Sequence, residues 1–277
     1  QRVIGIEFLK DYIATFGSWI PLILLVVIII TSSIGLVFTI QGKTETEGGV
    51  LVPGRQFVEL LNGIGREKVL ISQDKDQLVL EIGSGEYKFQ VLPKEEFPKL
   101  FEEKGELIEE FTAEDFIGIF EKITFAVSQD ESRPHLTGVY VVEKDGHIDY
   151  VATDGFRLSL KRIKKTIQVE RLKTGLIIPP RLIQEVMSVK STENIKLYIY
   201  DKGNQAIFET ANTTLVGRLI EGKYPDYERV IPRNSSTSIK LEREELVKII
   251  RTISVFAKES ANVVGFSISN GIVTLKT

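Results

Sequence analysis

The sequence predicts an α+β chain built as tandem repeats of one unit, with antiparallel strands, two helices in each repeat and a third repeat cut short. Two observations carry this reading. A strand running through proline into an amphipathic helix occurs twice, at Val50-Leu51-Val52-Pro53-Gly54-Arg55 and at Leu176-Ile177-Ile178-Pro179-Pro180-Arg181. An apolar helical pattern beginning at Phe116 returns at Leu246, 130 residues later. Self-similarity at a fixed period marks a repeat architecture.

In chain order, Phe8, Leu9, Tyr12, Ile13 and Phe16 form a weak first copy of the repeated helix. Trp19 to Phe38 then holds twenty residues without a charge, the length a helix needs to cross a bilayer. Its Ile and Val content, and the turn chemistry of Thr31, Ser32, Ser33 and Gly35, predict instead two strands joined by a turn. A membrane anchor is the alternative, although Lys10 and Lys43 give no inside-positive bias and the run is not shaped as a signal peptide.

Val50 to Arg55 opens the first proline-led helix, with Phe57, Leu60 and Leu61 on its apolar side. Proline suits the first helical turn because its missing N–H would be unbonded there. Strands follow at Lys68 to Ser72, Gln77 to Ile82 and Tyr87 to Leu92, then a Phe97-Pro98 step. The second copy repeats this order with Ile183, Val186 and Met187 in its helix, strands at Ile195 to Tyr200, Gln205 to Glu209 and Thr214 to Ile220, and a Tyr224-Pro225 step. Pro53 to Pro98 spans 45 residues and Pro179 to Pro225 spans 46, so the copies match with one insertion. The other helix of the second repeat has Thr112 as N-cap, Asp115 at the capping-box position and an apolar face of Phe116, Ile117, Ile119, Phe120, Ile123 and Phe125, read through to Asp130. Its third copy follows Glu242, Glu244 and Glu245 at the positive end of the helix dipole.

The repeats start near residues 1, 108 and 238, dividing the chain into domains 1–105, 106–235 and 236–277. Glu7 to Pro53 spans 46 residues where Asp115 to Pro179 spans 64, so the first copy is short by about a strand pair, a deficit assigned to residues 19–42. Completing the third copy at a period of about 127 takes roughly 90 residues beyond Thr277. The opening Gln1 and the single methionine, Met187, also read as those of a fragment, whose third repeat is expected not to close its core.

Composition narrows the chemistry. Lys and Arg number 35 against 38 Asp and Glu, a net charge of −3, so any attraction to phosphates is local rather than bulk. No cysteine is present, which removes disulfides, thiolate metal sites and cysteine nucleophiles. The only histidines, His135 and His147, lack nucleophile spacing, so an enzyme is the weaker rival. Gly42-Lys43-Thr44 lacks the glycine a phosphate loop needs five residues earlier, and Gly83-Ser84-Gly85 reads as a hairpin turn. Glu221, Asp226 and Glu228 read as a solvated loop.

Two stretches are more particular: Val151-Ala152-Thr153-Asp154-Gly155-Phe156-Arg157-Leu158, and Gly217 to Pro232, which contains Arg218-Leu219-Ile220-Glu221-Gly222-Lys223-Tyr224-Pro225-Asp226-Tyr227. Together with Ser132 to Gly138 and Leu51 to Arg55, they make residues 43–277 resemble the bacterial DNA polymerase III β subunit, or sliding clamp, family. The resemblance implies the DNA clamp fold, with antiparallel sheets outside and two helices per domain inside. It further implies a cytoplasmic, non-catalytic processivity factor without a cofactor, a head-to-tail ring homodimer around duplex DNA held without sequence preference. DNA polymerase and clamp loader would dock on it through short linear peptides. The implied peptide-binding residues are Leu136, Thr153, Gly155, Phe156, Arg157, Leu158, Pro225, Arg229 and Val230. The implied DNA-facing residues are Lys10, Arg55, Lys122, Arg133, His135, Arg181, Lys248, Arg251 and Lys258. Phe156 stands where the family usually has His, and Pro134-His135 replaces an often aromatic pair.

Overall fold

The computed structural model describes residues 22–31, 34–42, 50–64, 68–93, 103–167, 169–189, 194–232, 234–258, 263–269 and 271–277. The helix expected over Phe8 to Phe16, with Lys10, and the Phe97-Pro98 step lie outside the described residues. The chain divides into two compact units, Gln1–Tyr224 and Pro225–Thr277.

The apolar run folds as strands. β1 (Leu22–Thr31) and β2 (Ile34–Gly42) pair antiparallel, with Leu24 opposite Ile40 and Val27 opposite Val37. Branching at Cβ restricts χ1 and suits a pleated surface better than a helix. Among the described residues no helix is long and apolar enough to cross a membrane.

β3 (Val50–Leu51) leads through Pro53 into α1 (Gly54–Gly63). Phe57, Leu60 and Leu61 of α1 pack on Leu78, Leu80 and Ile82 from the middle strand of a three-stranded sheet, β4 (Val69–Asp74), β5 (Gln77–Ile82) and β6 (Gly85–Gln90). The Gly83-Ser84 pair is the two-residue turn between β5 and β6, as the sequence predicts. β7 (Leu92–Pro93) returns to pair with β3.

Among the described residues, the second repeat runs through eight strands and three α-helices. Its elements are β8 (Glu106–Phe111), α2 (Ala113–Thr124), β9 (Val139–Lys144), β10 (His147–Thr153), β11 (Leu158–Lys164), α3 (Glu170–Thr174), β12 (Leu176–Ile178), α4 (Pro180–Ser188), β13 (Ile195–Tyr200), β14 (Gln205–Glu209) and β15 (Thr213–Arg218). The repeat pattern did not reveal β8 or α3: β8 carries Glu at three of its six positions, 106, 109 and 110, in too irregular an alternation, and α3 is a turn and a half ended at Gly175. Thr112 caps α2 by accepting the Asp115 N–H at 3.1 Å, while its hydroxyl donates to the Asp115 carboxylate at 2.8 Å. The helix stops at Thr124 rather than running to Asp130, which makes Phe125 a C-cap residue.

One core joins these elements. Phe116 and Phe120 of α2 are fully buried. Phe116 meets Phe208 of β14 edge-on at 5.6 Å, and Phe120 meets Tyr150 of β10 at 5.5 Å. The helix thereby ties the sheet β1-β2-β15-β14-β13-β8 to the sheet β11-β10-β9-β12. α4 packs beside α2 and against β15, where a Cβ on Gly217 would come within 2.8 Å of the Leu182 side chain. Asp149, fully buried on β10, is held by Arg162 directly across the strand pair, through Nε at 2.7 Å and Nη2 at 2.5 Å.

The six-stranded sheet crosses the expected boundary between the first two repeats. β2 pairs antiparallel with β15, Phe38 opposite Thr213 and Leu36 opposite Leu215, which is why both repeats fall in one unit. This pairing also relocates the deficit of the first repeat. The β1–β2 hairpin is longer than its counterpart β9–β10, so residues 19–42 are not where the chain is short. Seven residues separate β2 from β3, whereas 22 separate β10 from β12 and include β11 and α3. In the first repeat β2 therefore meets the neighbouring repeat directly, where β10 is covered by β11.

In the second unit, α5 (Arg243–Ala257) accompanies a hairpin of β16 (Gly265–Ser269) and β17 (Ile272–Lys276). Large apolar side chains of both elements, among them Ile249, Phe256, Phe266 and Ile272, stand exposed.

Because Phe120 is fully buried and touches the sheet opposite Phe116's, Phe120→Ala is expected to cost about 3–5 kcal/mol of stability, read from urea denaturation. A loss below about 1 kcal/mol would mean that α2 does not hold the two sheets together.

Candidate functional site

The connection between β10 and β11 is a hairpin mouth closed by Thr153 opposite Leu158. Its shape is set by Asp154. That carboxylate accepts the N–H groups of Phe156 at 2.9 Å and Arg157 at 3.0 Å and pairs with Arg157 Nε at 2.9 Å. The Thr153 hydroxyl accepts the Gly155 N–H at 3.1 Å and donates to the Arg157 carbonyl at 2.7 Å. Gly155 sits at φ +94, a conformation side chains resist, so the turn needs glycine there. The Arg157 and Phe156 N–H groups hold the Asp154 carboxyl below its ordinary range, burial opposes them, and the Arg157 guanidinium adds to the lowering.

Several contacts fix this hairpin to its surroundings. Ser159 Oγ donates to the Lys122 carbonyl at 2.6 Å, tying β11 to the end of α2. The Arg157 guanidinium lies over the Phe125 ring at 5.5 Å, a cation–π contact. Arg133 donates through Nε to Asp130 at 2.9 Å and reaches the Asp154 carbonyl at 3.5 Å. Tyr224 is buried and stacks on Tyr140 at 4.5 Å with the rings parallel. Burial pushes its hydroxyl well up, and the Thr153 main chain partly opposes that shift.

The expected peptide-binding residues divide by exposure and by unit. Phe156 is 97% exposed, Gly155 and Arg157 are exposed, and Leu158 is half-buried. Leu136 is only 6% exposed, in a 3-10 turn of Pro134–Leu136, so little of it reaches the surface. Pro225, Arg229 and Val230 belong to the second unit. There Arg229, on a 3-10 turn of Tyr227–Arg229, pairs with Asp226 at 2.7 Å, and Val230 is 68% exposed.

The expected DNA-facing residues are also unequal. Lys122 is exposed in the last turn of α2, beside exposed Glu121. Arg181 on α4 lies 4.0 Å from the buried Glu185, whose carboxyl is raised by burial and lowered in part by that arginine. Lys248 and Arg251 are exposed on α5, and Lys258 is exposed at its C-cap. Arg55 lies in α1, and Lys10 is outside the described residues. Arg133 is committed to Asp130 and the hairpin, so it acts first as a brace. His135 is half-buried in its 3-10 turn, and His147 Nδ1 lies 2.9 Å from the Asp145 carbonyl in the β9–β10 turn.

The pattern of the DNA polymerase III beta subunit, N-terminal domain, matches residues 25–101, and that of its central domain matches residues 110–226. The chain belongs to the DNA polymerase III β-subunit family. The beta sliding clamp of Chlamydia muridarum is 31% identical over 238 residues, covering 85% of this chain and 64% of the relative. The chain thus spans less than two thirds of that relative's length. The β chain from Streptococcus pneumoniae is 25% identical in structure-based comparison, with a TM-score of 0.78 over 88% of this chain and 67% of that one. The clamp from Pseudomonas aeruginosa solved with griselimycin bound, 21% identical, shares the fold at a TM-score of 0.79, covering 97% of this chain and 76% of that one.

Membership of the β-subunit family places most of the apolar run inside the N-terminal domain, as strands, and nothing supports its use as an anchor. Sequence reasoning missed Phe125, read as a core residue, and the Tyr140–Tyr224 stack. The Asp154 turn was legible: a Thr-Asp-Gly run offers side-chain acceptors to the N–H groups that follow.

A lowered carboxylate stabilises the folded hairpin above the ordinary carboxylate pKa, and the contribution disappears as pH falls through the lowered value. Acidification below about pH 4 is therefore expected to shift the amide resonances of Phe156 and Arg157 together, as their acceptor is protonated. Asp154→Asn should abolish this titration. Amide shifts that stay flat to acid in the unmodified protein would remove Asp154 as the organiser of the turn.

Proposed function

We propose that the protein is a DNA sliding clamp, a non-catalytic, cytoplasmic ring that encircles duplex DNA and tethers the replicative polymerase and other partners. The observation that carries this is the ordered match of N-terminal and central domain patterns on a chain whose own sequence repeats a third time from about residue 238. In this reading the domains are 1–105, 106–235 and a third beginning at 236. Two subunits join head to tail, the first domain of one against the third of the other, a heterologous contact that closes after two copies.

DNA would face Lys10, Arg55, Lys122, Arg133, His135, Arg181, Lys248, Arg251 and Lys258. The mixed charge around Lys122 and the Glu185 partner of Arg181 favour sliding, because dense phosphate neutralisation would bind tightly and slow movement along the duplex. Retention then comes from topology. On a full-length chain, the loaded protein is expected to remain on circular duplex and to leave linear duplex with free ends, with little dependence on sequence. Equal retention on both would refute topological holding.

Short linear peptides of polymerase and clamp loader would engage Leu136, Thr153, Gly155, Phe156, Arg157 and Leu158 of the hairpin region, with Pro225, Arg229 and Val230 of the following loop. The ordered hairpin supports this, since a preorganised loop loses little freedom on binding. A few anchors usually carry most of a peptide's affinity, so Leu158→Ala is expected to cost about 1–2 kcal/mol against a Gln-Leu-Ser-Leu-Phe peptide. Titration of the full-length protein and its Leu158→Ala and Arg229→Ala variants measures this. Unchanged affinity in both variants would exclude the assignment and leave the ring untouched.

A further inference from the structure

We infer that Phe156 makes the hairpin select partners that carry an aromatic side chain beside their apolar anchors, an inference that rests on the peptide-binding reading above. The turn does not need a phenylalanine. Asp154 satisfies the N–H groups of residues 156 and 157, and Gly155 supplies the unusual backbone, so the side chain at 156 contributes nothing to the shape of the loop. Nor does the ring pack within the fold: at 97% exposure, Phe156 is the most exposed of the molecule's large apolar side chains among the described residues. Exposed apolar side chains that gather into a patch mark interaction sites, and a ring on an ordered loop loses little freedom when a partner covers it.

Its surroundings indicate which partner. The next residue, Arg157, has its guanidinium over Phe125, itself 56% exposed, and is oriented by Asp154. This region thus exposes two rings, Phe156 and Phe125, and one aromatic-stacked guanidinium, on elements tied together by the Ser159 to Lys122 hydrogen bond. An aliphatic side chain would gain only the area it covers. An aromatic one gains ring-edge and cation–π contacts in addition, worth about fivefold in affinity.

Three probes test this on the full-length protein by fluorescence anisotropy: Gln-Leu-Ser-Leu-Phe with Ser on both sides, and the same peptide with Phe replacing either the leading or the trailing Ser. One Phe-flanked probe is expected to bind about fivefold more tightly than the Ser-flanked parent. Phe156→Ala and Phe156→Leu should both erase that difference, and Phe156→Tyr should keep it, each ratio being taken against the same variant's affinity for the Ser-flanked parent. The inference is overturned if neither Phe-flanked probe gains, if the gain survives Phe156→Ala, or if Phe156→Leu preserves it. Leu158→Ala separates the two levels. If it leaves parent binding unchanged, the peptide-binding reading fails and this inference falls with it; if it weakens the parent while the flank preference ignores residue 156, the inference alone falls.

Discussion

The insertion of α2 between two sheets is the contact on which the described molecule depends. Phe116 meets Phe208 of one sheet, Phe120 meets Tyr150 of the other, and all four rings are almost wholly removed from water. Edge-on rings of this kind add directional contacts to the area they bury. Tyr150 keeps its hydroxyl satisfied by reaching Glu109 on β8, which Lys165 also pairs, so the polar end of the ring costs little. The end of the same helix carries the site. Its Lys122 carbonyl holds Ser159 and its C-cap Phe125 lies under Arg157, so the hairpin is placed by the helix that closes the core.

A second constraint is sheet continuity. β2 and β15 come from different repeats, yet their pairing makes one six-stranded sheet. Strand edges left unpaired invite association with other chains, and joining the repeats removes two of them. The two repeats differ at this junction: seven residues connect β2 to β3, whereas β10 is followed by β11.

Charge follows a similar economy. Most arginines near the hairpin are paired locally: Arg133 with Asp130, Arg157 with Asp154 and Arg162 with Asp149. These pairs shape turns and strand register, and the exposed ones add little stability by themselves. They also explain how a chain of net charge −3 can carry many cations without a broad positive field.

The sequence by itself determined the repeats, the proline-led helices, most strands and the Thr153–Leu158 turn, because each is written in local spacing: apolar period, proline position, or a side-chain acceptor two residues from its donor. It also favoured two strands over a membrane helix for residues 19–38, through Cβ branching and turn residues. The tertiary structure alone decided where the first repeat is short, that β2 joins β15, that Phe125 leaves the core to stack with Arg157, and that Leu136 is buried while Phe156 stands free. Those outcomes depend on partners far apart along the chain. Local pattern states that a residue is apolar or charged, whereas only packing states which surface remains to cover it.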